Sequence, residues 1–188
     1  MTTSSLRPWT VLAEEPLLSC PPFIDVSKQR IALPDGRTVE NYYQVKMPDF
    51  AVICPVLTDG RFLMQRSYRH GPRRVCLNFP GGHLSPDEPA IAAAKRELME
   101  ETGYAASNWQ ELGAFTTNAN HRCQTAHFFK ATGCALVTEP DSGDLEEVEH
   151  VAMTYDEVVA AARDGSFALV TQVAMFALAT HPAFAKQP

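Results

Sequence analysis

The chain has 188 residues, of which 45% are hydrophobic and 20% charged, and its formal net charge is -6. This is the composition of one ordinary globular domain, and the negative charge disfavours a general nucleic-acid partner, which would need a basic surface. Five cysteines, with no CxxC spacing, predict reduced thiols in a cytoplasmic protein. The sequence shows no signal peptide and no apolar run of membrane-spanning length, so we expect no membrane association.

The N-terminal part of the chain reads as an antiparallel β segment over residues 1–46. Prolines punctuate Met1 to Pro22, which we expect to be irregular with short strands near Trp9 and Leu17. Strands are predicted over Phe23–Leu33 and Thr38–Lys46, joined by a turn at Pro34-Asp35-Gly36. A two-stranded unit exposes its edges, so we expect this segment to make the protein a homodimer and residues 47–188 to form the main domain.

The main domain begins with a predicted hairpin and a basic cluster. Ala51–Leu57 and Arg61–Tyr68 are predicted strands around a turn at Asp59-Gly60. Four arginines follow closely and are either surface charge or ligands for phosphate, which Arg binds through two oxygens at once. They are Arg66, Arg69, Arg73 and Arg74.

A helix is predicted over Pro89–Thr102, because Pro suits a first helical position and Gly103 a helix end. Glu97, Glu100 and Glu101 crowd its last turns, where like charges four residues apart and the helix dipole both oppose carboxylates. A hard cation such as Mg²⁺ or Mn²⁺ would remove this conflict; the alternative is a fully solvated face.

The rest of the chain alternates strands with polar loops and ends in two helices. We predict a capping box at Thr154 and Glu157, which starts a helix that runs to about Arg163. The remaining predictions are strands at Trp109–Phe115, Thr125–Thr132 and Val151–Thr154, loops at Thr116–Gln124 and Glu139–Glu149, and a buried helix at Phe167–Ala179.

The run from Gly82 to Tyr104 matches the Nudix box, GX5EX7REUXEEXGU, with Tyr104 in place of an aliphatic residue. The chain thus resembles the Nudix hydrolase superfamily, which implies an α+β fold with a mixed sheet between helices. The resemblance also implies Mg²⁺-dependent hydrolysis of a nucleoside diphosphate linked to another group, with Mn²⁺ as a substitute. By box position, the metal ligands would be Glu97, Glu101, Glu100 and the carbonyl of Gly81. Arg96 would hold a neighbouring carboxylate in place, Glu88 would be structural, and Gly82 would approach substrate.

Beyond the box, the chain resembles the ADP-ribose pyrophosphatase branch, through Leu33–Val45, the triplet Ser67-Tyr68-Arg69 and the acidic loop. That resemblance implies Glu147 as the general base with Glu149 beside it, and Arg69 as a contact to the diphosphate. It also implies that an aromatic residue of the N-terminal segment contacts the nucleobase of the substrate, and Tyr42 is our candidate for this contact.

Two departures from the branch leave the substrate open. Asn78 stands where the branch has a glutamate, and no proline lies between Pro89 and Pro140. Another nucleotide sugar or a dinucleotide therefore remains an alternative substrate, and a non-catalytic nucleotide-binding module an alternative function. His121 and His127 are alternative sources of a base or a contact, against a packed or surface role.

Overall fold

The computed structural model describes residues 6–143 and 147–184. Within these ranges the strands are β1 Thr10–Cys20, β2 Ile24–Ala32, β3 Thr38–Lys46, β4 Phe50–Leu57, β5 Phe62–Arg69, β6 Arg74–Asn78, β7 Tyr104–Ala105, β8 Asn108–Asn118, β9 Arg122–Leu136 and β10 Val148–Met153. The helices are α1 Ala90–Thr102, α2 Tyr155–Arg163 and α3 Val170–Thr180, followed by a 3-10 turn at Pro182–Phe184. The chain divides into a first unit, Met1–Pro48 with Thr116–Thr125, and a second unit, Asp49–Phe115 with Ala126–Pro188.

The first unit is built on an antiparallel meander of β1, β2 and β3. The expectation of an irregular stretch up to Pro22 is wrong for its described part, because β1 is one continuous strand. Pro16 is tolerated because β1 pairs on one side with β2, and the register shifts between Pro16 and Leu18. The prolines predict breaks in the chain, but the pairing with β2 keeps Pro16 within a strand. Sequence propensity does not indicate this pairing.

Strand β1 is exposed along its whole length. Its apolar side chains Val11, Leu12, Leu17 and Leu18 are each about half exposed, although they occupy both faces of the strand. An exposed apolar strand of this kind is a ready template for pairing with another chain.

The predicted loop Thr116–Gln124 is also wrong, because β8 continues to Asn118 and β9 begins at Arg122. A tight turn connects the two strands. The Asn118 side-chain oxygen accepts hydrogen bonds from the backbone N–H groups of Asn120 (3.0 Å) and His121 (2.8 Å). This local bonding lets polar residues extend both strands instead of forming a long loop.

In the second unit, a mixed sheet lies between helices, which confirms the predicted α+β fold. Strands β4 and β9 run parallel, whereas β5 runs antiparallel to both β6 and β10. On one side, Ala94 and Leu98 of α1 pack against the sheet; we call this side the α1 face. On the other, the α2–α3 face, Val158 and Met175 pack over alternate residues of the same strands.

Helices α1 and α2 agree closely with the sequence signals, although α1 begins at Ala90, one residue later than predicted, with Pro89 as its N-cap. Helix α1 ends at Thr102 with Gly103 in a left-handed conformation (φ 74°), and the capping box at the start of α2 is confirmed. Helix α3 begins at Val170, later than predicted, because Phe167 packs in the core before the helix starts. No helix in the described part of the chain is long and apolar enough to cross a membrane.

Strands β6 and β10 differ from the sequence predictions. Strand β6 had not been predicted, and β10 begins at Val148, three residues earlier than expected. Glu149 therefore lies within a strand, opposite Arg66 of β5, and the acidic loop ends before it. Residues 144–146 of the predicted loop lie outside the described residues.

Candidate active site

Gly81 and Gly82, here called the glycine turn, lie between β6 and α1 in a segment that passes very close to its neighbours. The turn is bonded to β4 on both sides, from Ile53 N to Pro80 O and from Ala51 N to Gly82 O, each at 2.9 Å. A Cβ on Gly81, whose φ is 155°, would lie 2.1 Å from the Ala51 carbonyl oxygen. A Cβ on Gly82 would lie 2.4 Å from the Glu97 carboxylate. Gly81 thus needs glycine because backbone occupies the space of a side chain, whereas a side chain at Gly82 would displace the Glu97 carboxylate.

Helix α1 brings two carboxylates to this turn. Glu101 accepts a hydrogen bond from Gly81 N at 2.8 Å and a longer one from the Gln65 amide at 3.4 Å. Glu97, one helical turn earlier, lies against Gly82, and its side chain is only 13% exposed. The i, i+4 spacing read from the sequence therefore places both carboxylates on the same glycine turn.

Arg96 joins three glutamates in one network. Its Nε and Nη2 bind the two oxygens of Glu88, both at 3.0 Å. Its Nη1 donates to Glu97 (2.7 Å) and to Glu100 (2.9 Å). The guanidinium thus holds Glu88 in a bidentate pair and places a positive charge between the carboxylates of Glu97 and Glu100.

The network shifts the acid–base properties of its members. The Arg96 guanidinium, with the Ser85 N–H, lowers the pKa of Glu88 to about 2. In return, Glu88 first, then Glu100 and Glu97, raise the pKa of Arg96 further above its usual range. At neutral pH, Glu88 is consequently an anion that pairs with Arg96.

The donor set suits a hard divalent cation, although it is arranged around Arg96. In the described ranges, no three His, Cys, Asp or Glu side chains converge closely enough to hold a metal together. Glu97 and Glu101 nevertheless meet the turn, and Glu100 is linked to Glu97 through Arg96. Carboxylate oxygens are the donors that Mg²⁺ prefers. Because Gly81 N–H faces Glu101, its carbonyl in this extended segment points to the same side. These residues fit a metal that replaces the Arg96 contacts.

The two faces of β5 separate the predicted arginines. Gln65 points to the α1 face, where it contacts Glu101, so Arg69, four residues on, shares that face. Arg66 lies on the opposite face and pairs with Glu149 at 3.0 Å. Of the predicted residues on these strands, the structure therefore places Arg69 on the side of the box carboxylates, whereas Glu149 is directed away from them.

Glu147 is exposed and immediately precedes β10. The segment that leads to it starts beside the box helix, because Asp141 N donates to the Glu100 carbonyl at 2.8 Å. Glu147 is six residues beyond this anchor. Glu147 lines the same pocket as Arg66 and Glu149, so it also borders the surface that these two residues share.

Three further residues were predicted as contacts or sources of a base: Tyr42, His121 and His127. Tyr42, in the first unit, packs edge-on against Trp9 with ring centroids 5.7 Å apart. His121, also in the first unit, places Nδ1 2.9 Å from the Tyr43 carbonyl oxygen. His127 is half-buried on β9, in register with Ala51 of β4.

The sequence reasoning missed three polar residues that support the site. Gln65 and His150 contact Glu101 from neighbouring strands, and the Gln172 side chain accepts from Phe79 N at 2.8 Å, just before the glycine turn. VEHVAM does not alternate apolar and polar residues, so periodicity indicates neither β10 nor the face of His150. No sequence signal marks Gln172, whose partner lies 93 residues away.

Comparison with known proteins gives consistent matches. A family model described as NUDIX domain matches residues 47–172. The ADP-ribose pyrophosphatase of Bacillus subtilis (strain 168) is 28% identical over 137 residues, covering 72% of this chain and 74% of the relative. The CMP-5'-(N-acetyl-N-hydroxy-3-aminopropyl)phosphonate hydrolase of Streptomyces rubellomurinus is 33% identical over 143 residues, covering 76% and 68%. A crystal structure of an ADP compounds hydrolase superposes with a TM-score of 0.81 at 21% identity and 94% coverage of both chains.

Proposed function

Since the chain belongs to the NUDIX domain family and is a Nudix pyrophosphatase, we propose that it cleaves the pyrophosphate of ADP-ribose or a related nucleotide sugar. The products would be a nucleoside monophosphate and a sugar phosphate. One observation carries this proposal: Glu97 and Glu101 both meet the Gly81-Gly82 turn, with Glu101 2.8 Å from Gly81 N. This is where the family box implies that a metal and a diphosphate come together.

Magnesium is the proposed cofactor, with Mn²⁺ as a substitute, and Glu97, Glu100, Glu101 and the Gly81 carbonyl would hold it. When bound, the metal supplies charge neutralisation of the diphosphate and lowers the pKa of the attacking water. Arg96 would then keep Glu88 and release Glu97 and Glu100 to the metal. Its bidentate pair with Glu88 supports this division, because that pair does not involve the ligands.

Arg69 is the proposed diphosphate contact, and Gly82 offers a backbone surface that substrate can approach closely. Arg69 lies on the α1 face, whereas Arg66 is paired with Glu149 on the other. Tyr42, half-buried beside Trp9, is the proposed aromatic contact to the nucleobase.

We propose Glu147 as the general base that takes a proton from the attacking water. The box glutamates are committed as ligands, so the base must come from elsewhere. The anchor between Asp141 and Glu100 begins the segment of Glu147 next to the box. The ion pair with Arg66 gives Glu149 a lesser, positioning role in this proposal.

We further propose that the protein is a cytoplasmic homodimer in which residues 1–46 contribute the interface. The exposed apolar residues of β1 support the interface. All five cysteines lie in the described ranges and are free thiols, as expected for a reducing compartment. Light scattering at micromolar concentration should give twice the monomer mass of 20.7 kDa; a monomer would refute the dimer.

A substrate panel tests the proposed function. The protein with Mg²⁺ is incubated with ADP-ribose, ADP-sugars, CDP-linked compounds and dinucleotides, and the products are separated by chromatography. The CDP compounds are included because one relative is named as a hydrolase of a CMP-phosphonate compound. We expect AMP and ribose phosphate from ADP-ribose at the highest kcat/KM. Absence of cleavage of every compound, with Mg²⁺ or Mn²⁺, would instead support a nucleotide-binding module.

A further inference from the structure

Two of the last carbonyl groups of α1, those of Glu100 and Glu101, are bonded by residues from outside the helix. The last four C=O groups of a helix lack partners within it. Here the Met99 carbonyl accepts from the capping Gly103 N at 2.8 Å. The Glu100 carbonyl accepts from Asp141 N at 2.8 Å, and the Glu101 carbonyl lies 2.9 Å from His150 Nε2. The end of α1 that carries the box glutamates is thus tied to β10.

His150 must be the donor in this contact. A backbone carbonyl oxygen can only accept, so Nε2 of the half-buried imidazole carries the hydrogen. His150 faces Gln65 in the β5–β10 register, and Gln65 donates to the carboxylate of the same Glu101. Two neighbouring strands therefore hold one glutamate, at its main chain and at its side chain.

We propose that His150 is a positioning residue that keeps the Glu101 carboxylate on the glycine turn, where it can bind the catalytic metal. The inference rests on the proposed function, in which Glu101 is a metal ligand. With the Glu101 carbonyl fixed by His150 and its carboxylate fixed by Gly81 N, the side chain between them has little freedom. Outer partners that orient a ligand in this way typically contribute about 10–100-fold to metal affinity or activity.

Two amide substitutions separate positioning from a merely structural role. His150→Gln keeps an N–H donor at about the reach of Nε2, whereas His150→Asn carries the same amide on a side chain too short to reach the carbonyl. Both are polar and smaller than histidine, so their effects on packing are similar. His181→Asn is the matched control, because it makes the same substitution at an exposed histidine, the C-cap residue of α3, away from the box helix.

The experiment measures Mn²⁺ binding to the full chain by electron paramagnetic resonance of free Mn²⁺, together with thermal unfolding. We expect His150→Asn to weaken Mn²⁺ binding by about 10–100-fold, and His150→Gln and His181→Asn to bind within about threefold of wild type. Equal weakening by the Asn and Gln variants, or wild-type binding by His150→Asn, would overturn the inference.

Glu101→Gln distinguishes this inference from the proposed function. If Glu101→Gln weakens Mn²⁺ binding and His150→Asn does not, the positioning role alone is refuted. If Glu101→Gln binds Mn²⁺ as wild type does, the metal assignment is wrong and the inference fails with it. A fall in the melting temperature of His150→Asn without a change in Mn²⁺ affinity would leave His150 a structural cap and likewise refute positioning.

Discussion

Gln172 should stabilise the glycine turn from the opposite side of the sheet, through one hydrogen bond. Its side-chain oxygen accepts from Phe79 N at 2.8 Å, and both residues are buried, at 7% and 2% exposure. Gln172→Leu keeps a similar volume, so it should create no large cavity, but it leaves the Phe79 N–H without an acceptor. An unsatisfied buried donor costs about 1–3 kcal/mol.

For a domain of this size, each kcal/mol lowers the melting temperature by about 2–4 °C, so we expect Gln172→Leu to melt about 2–12 °C below wild type. Differential scanning calorimetry, or urea unfolding with an unchanged m-value, measures the loss. Gln110→Leu is the control, because Gln110 is exposed on β8. A Gln172→Leu variant as stable as wild type, or an equal loss in Gln110→Leu, would refute the reasoning.

Three further predictions concern the box and the base. Glu101→Gln retains an acceptor for Gly81 N but loses its charge, so kcat should fall at least about 10²-fold; wild-type turnover in this variant or in excess EDTA would contradict the metal assignment. Glu147→Gln should lower kcat by about 10²–10⁴-fold with little change in KM, and Glu149→Gln should have a milder effect; the reverse order in steady-state assays would reassign the base. Because the pKa of Glu88 falls from 4.5 to about 2 on folding, its contact with Arg96 should stabilise the protein above about pH 4.5 and be lost as the pH falls towards 2. Acid unfolding of Glu88→Gln should therefore converge with wild type at low pH, and a constant gap would refute this assignment.

The sequence predicted those features that depend on neighbours a few residues away. The limits of α1 follow from Pro89 and Gly103, and the capping box of α2 from Thr154 and Glu157. The shared placement of Glu97 and Glu101 follows from helical spacing alone. In each case, the residues that determine the local structure are near neighbours in the same helix or at its ends.

Features that depend on distant partners were not predictable in this way. Strand β1 forms through Pro16 because β2 pairs with it, and Glu149 is in a strand because β5 accepts it opposite Arg66. The contact of His150 with Glu101 links residues 49 positions apart. Pairing across such separations is settled by tertiary packing, which local propensity does not report.

The Arg96 network has a consequence for how the protein behaves without metal. Glu97 and Glu100 already share a positive charge from Arg96, so their mutual repulsion is relieved by the chain itself. If Mg²⁺ binds as proposed, it would replace one cation with another at these carboxylates, and folding would not depend on the ion. Small zinc domains unfold when stripped of their metal; this protein should instead survive chelation folded and regain turnover as soon as the ion returns.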